Sequence, residues 1–263
     1  MTTTAKVLKY ELRDIARSRA VVVYTLFFLA ASELLFRFSG GSAKALLSLA
    51  NVALIVVPLV SLVLGTMFLY NAREFNELLL AQPVNRRQLF AGLYLGLALP
   101  LMLGFLAGAG LPVLLHGLDE PRHALAFAML GVSGVFLTGI FIAVAFVIAL
   151  RFEDRVRGMG VALLVWLFLA VVYDGLVLLG ANLFYAWPLE KPLLALMVLN
   201  PIDLARVVVM LNFDISALMG YTGAVFRDFF GSSAGLAIAL AALTAWLAGP
   251  LLAGLRLFAR KDF

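Results

Sequence analysis

"NAREFNELLLAQPVNRRQLF", residues 71–90, is the polar interruption around which the rest of the sequence is organised. Long apolar runs stand on both sides of it, at about 46–70 and 89–115. Asn71 is followed three residues later by Glu74, and Asn85 three residues later by Gln88. Both pairs have the form of a capping box, which marks a helix start. Pro83 stands between them and has no N–H to give a helix interior. The spacing predicts a short helix over 72–81, a turn through Gln82-Pro83-Val84, and a new helix beginning at Asn85. On the short helix Phe75, Leu78 and Leu79 fall at i, i+3 and i+4, which makes one apolar face, with Arg73, Asn76 and Glu77 elsewhere. The residues alone leave two readings open: an interfacial helix on the lipid headgroups, or a helix that docks a cytoplasmic partner.

The flanking runs set the class. The chain is 64% hydrophobic and only 13% charged, with a mean hydropathy of +1.06. A soluble domain carries about a quarter charged residues. A helix needs roughly 20 apolar residues to cross a bilayer, and six runs meet that need, at about 20–36, 46–70, 89–115, 124–150, 159–183 and 234–255. The first also has the look of a signal peptide ending in "SGGSA" (39–43). The long charged segment ahead of it argues for a span, and removing it would leave an odd number. The expectation is one all-α integral membrane domain over 1–263.

Placing the N-terminus inside puts fourteen of the Lys and Arg residues in cytoplasmic segments, among them Lys6, Arg73, Arg86, Arg151, Arg155 and Arg260. Six fall outside: Arg37, Lys44, Arg122, Lys191, Arg206 and Arg227. This bias puts both termini in the cytoplasm. It also accounts for the pI near 9.7 without a nucleic-acid partner. In "KVLKYELRDIARSR" (6–19), Leu8, Leu12 and Ile15 share a face opposite most of the basic residues. That is an amphipathic elbow helix lying on membrane lipid.

Residues 192–213 are long enough to span, but Asn200, Pro201, Asp203 and Arg206 interrupt them. A seventh span would also carry the basic C-terminus outside. The expectation is two short re-entrant or interfacial helices on the outer side, because polar and broken backbone is tolerated at membrane depth only inside protein or along a cavity. Glu33, Asp174 and Asn182 are the intramembrane polar candidates. Glu33 lies near an outer end and can reach water. Asp174 is deeper and is expected to pair with a polar group in the bundle or at a dimer interface, with a place in a transport path as the alternative. The third span carries Gly92, Gly96, Pro100, Gly104 and Gly108 every four residues, a ridge that lets helices approach.

Catalytic chemistry finds little footing. There is no Gly-x-x-x-x-Gly-Lys-Ser/Thr loop to cradle ATP phosphates. There are no cysteines. The loop "HGLDEPRH" (116–123) gathers two His and two acids but lacks a His-Glu-x-x-His pattern, and a solvated loop explains it. Met197, Met210 and Met219 are too widely spaced for an evident thioether site and read as packing. The reading is a non-catalytic chain with no metal site.

The N-terminal amphipathic segment, the six spans and "ELLLAQPVNRRQLFAGLYLG" (77–96) together resemble the integral-membrane subunits of ABC transporters of the ABC-2 permease class. The portion from Leu78 to Arg86 is intact. Phe75-Asn76 stands where that class usually has Gly-Thr. The resemblance implies that 72–86 is the coupling helix, with Arg73, Glu74, Phe75, Glu77, Leu78, Leu79, Pro83, Arg86 and Arg87 docking a separate cytoplasmic ATPase that binds ATP and Mg. It further implies a homodimer with twelve spans in a bacterial inner membrane. A narrower resemblance runs through "GVALLVWLFLAVVYDGLVLL" (160–179), "VLNPIDLARVVVML" (198–211) and "FARKDF" (258–263). It is to permeases that serve copper-site assembly in nitrous-oxide reductase. On that resemblance a periplasmic copper-assembly protein contacts Asn200, Pro201, Asp203 and Arg206. An exporter of lipid or a small molecule, a stand-alone channel or secondary transporter, and a lipid-modifying enzyme are the competing classes.

Overall fold

Backbone donors and acceptors in lipid must be satisfied within the segment, so runs of this length can only be helices. The computed structural model describes residues 18–73, 85–118, 120–184, 190–210 and 233–260. Its elements are α1 (Arg19–Phe38), α2 (Ser42–Asn71), α3 (Arg86–His116), α4 (Pro121–Arg151), α5 (Arg155–Leu183), α6 (Glu190–Val198), α7 (Pro201–Met210) and α8 (Ser233–Arg260). Six are long and apolar enough to cross a membrane, in the places that hydropathy marks. No strand occurs among the described residues. The expected amphipathic helix over 6–19 and the short helix over 72–81 fall almost wholly outside them.

Three of the long helices start on a side-chain cap. The Ser18 hydroxyl accepts from Val21 N at 3.3 Å, and Asn85 Oδ1 accepts from Arg87 N at 3.0 Å. Asp154 Oδ1 accepts from both Val156 N (2.7 Å) and Arg157 N (3.0 Å) at the start of α5. The amides of Arg157 and then Val156 hold the Asp154 carboxyl below its usual range. A depressed folded-state pKa adds stability above the unfolded value and loses it as pH falls through the folded one. Asp154→Ala is therefore expected to lower the apparent melting temperature at pH 7, with a smaller difference when both proteins are melted near pH 3. An equal loss at both pH values would count against an ionised cap.

Burial sorts the helices into centre and rim. Along their most apolar stretches α2, α3 and α4 are 50%, 67% and 72% buried, against 22% for α1, 11% for α8 and 6% for α5. Lipid tails are as apolar as Leu, so close packing rather than hydrophobic burial must hold such helices together. The glycine ridge does this for α1 and α3. A Cβ on Gly108 would stand 2.6 Å from Thr25 O and 2.9 Å from Phe28 Cβ. Phe28 stacks edge-on to Phe105 at 5.0 Å, and Ser32 Oγ donates to Ala109 O at 3.2 Å. Gly65 does the same for α2 and α4, lying against Ala145. Phe90, Phe146 and Phe258 tie α3, α4 and α8. Proline interrupts the hydrogen-bond ladder at Pro58, Pro100, Pro112 and Pro250.

The interrupted stretch is two helices, as its polar residues suggest. The axes of α6 and α7 meet at 107°. Pro201 to Ala205 and Val207 to Val209 are buried, and α7 packs on α4, α2 and α8. Midway along α5, Phe168–Val172 forms a π turn, with Tyr173 N donating to Phe168 O.

Candidate functional site

The helices alternate in direction, so one end of the bundle gathers Arg73, Arg86, Arg87, Arg151, Arg155, Arg157, Arg256 and Arg260. Both flanks of the 74–84 segment are anchored at this basic end. On the near side Arg73 Nη1 donates to Glu153 O at 3.0 Å and Nη2 to Phe152 O at 3.5 Å. On the far side Arg86 Nη1 donates to Ala259 O at 3.1 Å, close to the end of α8. The carbonyls of a helix's last turn lack intrahelical partners, and a guanidinium is well suited to them. Two of the arginines assigned by resemblance to partner docking are thus engaged within this chain. Arg87 is exposed, while Glu74, Phe75, Glu77, Leu78, Leu79 and Pro83 lie outside the described residues.

A second site lies where α5 meets α7. Arg206 Nη1 donates to Asp174 Oδ2 at 2.8 Å and to Asp203 Oδ1 at 2.9 Å. Asn200 Nδ2 donates to Asp203 Oδ2 and to Leu169 O, both at 2.8 Å, and Asn200 Oδ1 accepts from Ile202 N at 3.0 Å. One amide side chain therefore caps α7, holds Asp203 and reaches a carbonyl of the π turn. Tyr173 Oη donates to Leu196 O at 2.6 Å and Trp246 Nε1 to Val198 O at 3.0 Å, which satisfies the end of α6. Asn200, Pro201, Asp203 and Arg206, which resemblance assigns to a partner surface, have their places within this chain. Asn200, Pro201 and Asp203 are buried, and Arg206 is spent on two carboxylates. Polar groups placed beside apolar helices must pair, and these pair with one another.

The remaining candidates sit toward the opposite end. Glu33 is not simply hydrated: its carboxylate takes Arg37 Nε at 2.6 Å and stands 3.6 Å from His116 Nδ1. That histidine nitrogen is also 3.1 Å from Pro112 O. His123 is buried against Ser42 Oγ at 2.8 Å, so the two histidines of the 116–123 loop serve different helix pairs. Among the described residues no three His, Asp or Glu side chains come together in a way that could hold a metal ion. Asn182 is exposed near the end of α5. Tyr70, Gly158 and the π turn carry no charge or motif. Sequence reasoning passes over them for that reason.

Comparison with known proteins agrees with this architecture. The profile of the family described as ABC-2 family transporter protein matches residues 31–263. A protein of Stutzerimonas stutzeri named "Probable ABC transporter permease protein NosY" is 28% identical over 232 residues, covering 81% of this chain and 83% of its own. A Pseudomonas aeruginosa protein of the same name is 30% identical over 227 residues, covering 80% and 82%. With a family match over nearly its whole length, the chain belongs to the ABC-2 transporter family, as the permease subunit of an ABC transporter.

Proposed function

We propose that two copies of this chain form the twelve-helix membrane core of a transporter in a bacterial inner membrane, with both termini cytoplasmic. Two copies of a separate cytoplasmic ATPase, which binds the ATP and Mg, dock on the 72–86 segment at the basic end. The observation that carries this reading is the tethering of both ends of that segment. Arg73 links it to the turn between α4 and α5, and Arg86 links it to the end of α8. A rigid surround is what a docking element needs to pass motion on rather than absorb it.

Likeness to the two NosY permeases supports a role in copper-site assembly of nitrous-oxide reductase, with a periplasmic copper-assembly protein on the opposite side of the membrane. The chain acts on that partner mechanically. Asp174, Asp203 and Arg206 neutralise one another in part and are locked by Asn200, which suits a strut better than a lining for a passing ion. Export of a small molecule or lipid is the second reading, favoured by the family's description as transporters.

The test is co-purification from the native host. The variant pair is Glu74→Arg with Arg87→Glu, because Arg86 already serves α8 and its loss would confuse docking with folding. An ATPase is expected to elute with the native chain and to fall at least about tenfold in the variant, for a loss of about 1.4 kcal/mol or more. Equal recovery from both proteins would overturn docking at this segment.

A further inference from the structure

Three successive carbonyls, those of Phe152, Glu153 and Asp154, form the turn between α4 and α5, and all three are held from the end of α2 and the two residues after it. Tyr70 Oη donates to Phe152 O at 2.7 Å and reaches Asp154 O at 3.3 Å. Arg73 takes Glu153 O and Phe152 O. The Arg73 guanidinium also lies 5.3 Å from the centroid of the Tyr70 ring, within cation–π range. Across the turn Gly158, one helical turn into α5, is where the Tyr70 hydroxyl fits. A Cβ there would collide with it. Asp154 fixes the first turn of α5 by capping it. The last turn of α2, the turn itself and the start of α5 are therefore one hydrogen-bonded unit, and Arg73 directly precedes the 74–84 segment.

We propose that Tyr70 and Arg73 are positioning residues that deliver movement of the 74–84 segment to α4 and α5 through the 152–154 turn. The inference rests on the docking function proposed above. It adds a route: without the clasp, force from that segment enters α2 and α3, the helices covalently joined to it, and α8 through Arg86. With it, the same displacement pulls on α5, the least buried span, whose far half carries Asp174.

The absence of cysteine from this chain permits a direct test. Cysteine is placed at Val156, which is 81% exposed at the start of α5, or at Leu95, 36% exposed on α3. Each is spin-labelled in the permease–ATPase complex in lipid nanodiscs, and spectra are compared with and without ATP under non-hydrolysing conditions. Both labels are expected to respond in the native background. In Tyr70→Phe, which removes the hydroxyl that holds Phe152 O and Asp154 O, the ATP-dependent change at 156 is expected to fall sharply while that at 95 persists and the ATPase stays bound. Gly158→Ala, which displaces the Tyr70 hydroxyl from the other side, is expected to give the same loss with both clasp residues present. An undiminished response at 156 in these variants would overturn the clasp as a relay. Silence at both positions in the native complex, or no ATPase in it, would instead remove the docking reading and the relay with it.

Discussion

Arg206→Leu is expected to lower the apparent melting temperature of the detergent-solubilised protein more than any other single change in the polar cluster, through a loss of about 2–4 kcal/mol. Breaking a fully buried ion pair costs about 3–5 kcal/mol, because a charge is left without its partner. An exposed pair contributes about 1 kcal/mol or less. This cluster lies between the limits. The Asp203 side chain is 8% exposed, while those of Arg206 and Asp174 are 31% exposed. A single guanidinium serves both carboxylates, so its removal leaves two facing carboxyl groups on α5 and α7 without their shared cation. Asp174→Leu leaves the Arg206–Asp203 pair standing and should cost about 1 kcal/mol, as for an exposed pair. The triple change to Leu at 174, 203 and 206 should recover much of the loss, since apolar replacement of a whole ionic cluster is often neutral or better. Melting curves followed by intrinsic fluorescence would check this order. An Asp174→Leu loss as large as that of Arg206→Leu would show that the guanidinium is not the hub.

Gly108→Leu is the second large effect, at about 3 kcal/mol, the upper end of the range for overpacking a core. The neighbours of its Cβ include Thr25 O at 2.6 Å and Leu29 N at 3.2 Å. These are backbone atoms of α1 and cannot swing aside, so α1 and α3 must separate. The Phe28–Phe105 ring contact and the Ser32–Ala109 hydrogen bond go with them. Gly104→Ala should be milder, because its nearest neighbour is the Thr25 hydroxyl, a rotatable group whose bond to Val21 O would be sacrificed. Gly160 has no heavy atom within 4 Å of a built Cβ. There Ala should be neutral or stabilising by up to about 1 kcal/mol, since glycine inside a helix costs backbone entropy. Yield of monodisperse protein on gel filtration, with melting temperature, separates the three. If Gly108→Leu matched Gly160→Ala, the two helices would not be packed through this ridge.

Much of this fold is legible in the sequence, because lipid leaves few options. A run of about 20 apolar residues has to be a helix. Pro201 among Asn200, Asp203 and Arg206 has to break one. The helix start at Asn85 is likewise readable from its cap. The sites are less legible, and the reason is distance along the chain. Asp174 and Arg206 are 32 residues apart and meet only because α6 and α7 bend back at 107°. Nothing in local spacing gives that angle. Asn200 looks like a turn residue, and it is one, but its other amide bond to Leu169 O depends on a π turn that hydropathy does not register. Arg73 and Arg86 show the converse. A basic residue beside a docking segment suggests a partner, while in the fold both donate to carbonyls of this chain, in the 152–154 turn and at Ala259.

The π turn at Phe168–Val172 amounts to one residue inserted into a regular helix. Each residue advances an α-helix by about 100°, so the insertion sets the azimuth of everything beyond it. Removing one residue from 168–172 should restore an unbroken helix and keep the span, yet swing Asp174 about 100° around the axis and away from Arg206. Evolution can therefore toggle the pairing by an insertion or deletion rather than by substitution. A single-residue gap within the fifth span should accompany the loss of an arginine at position 206 among homologues.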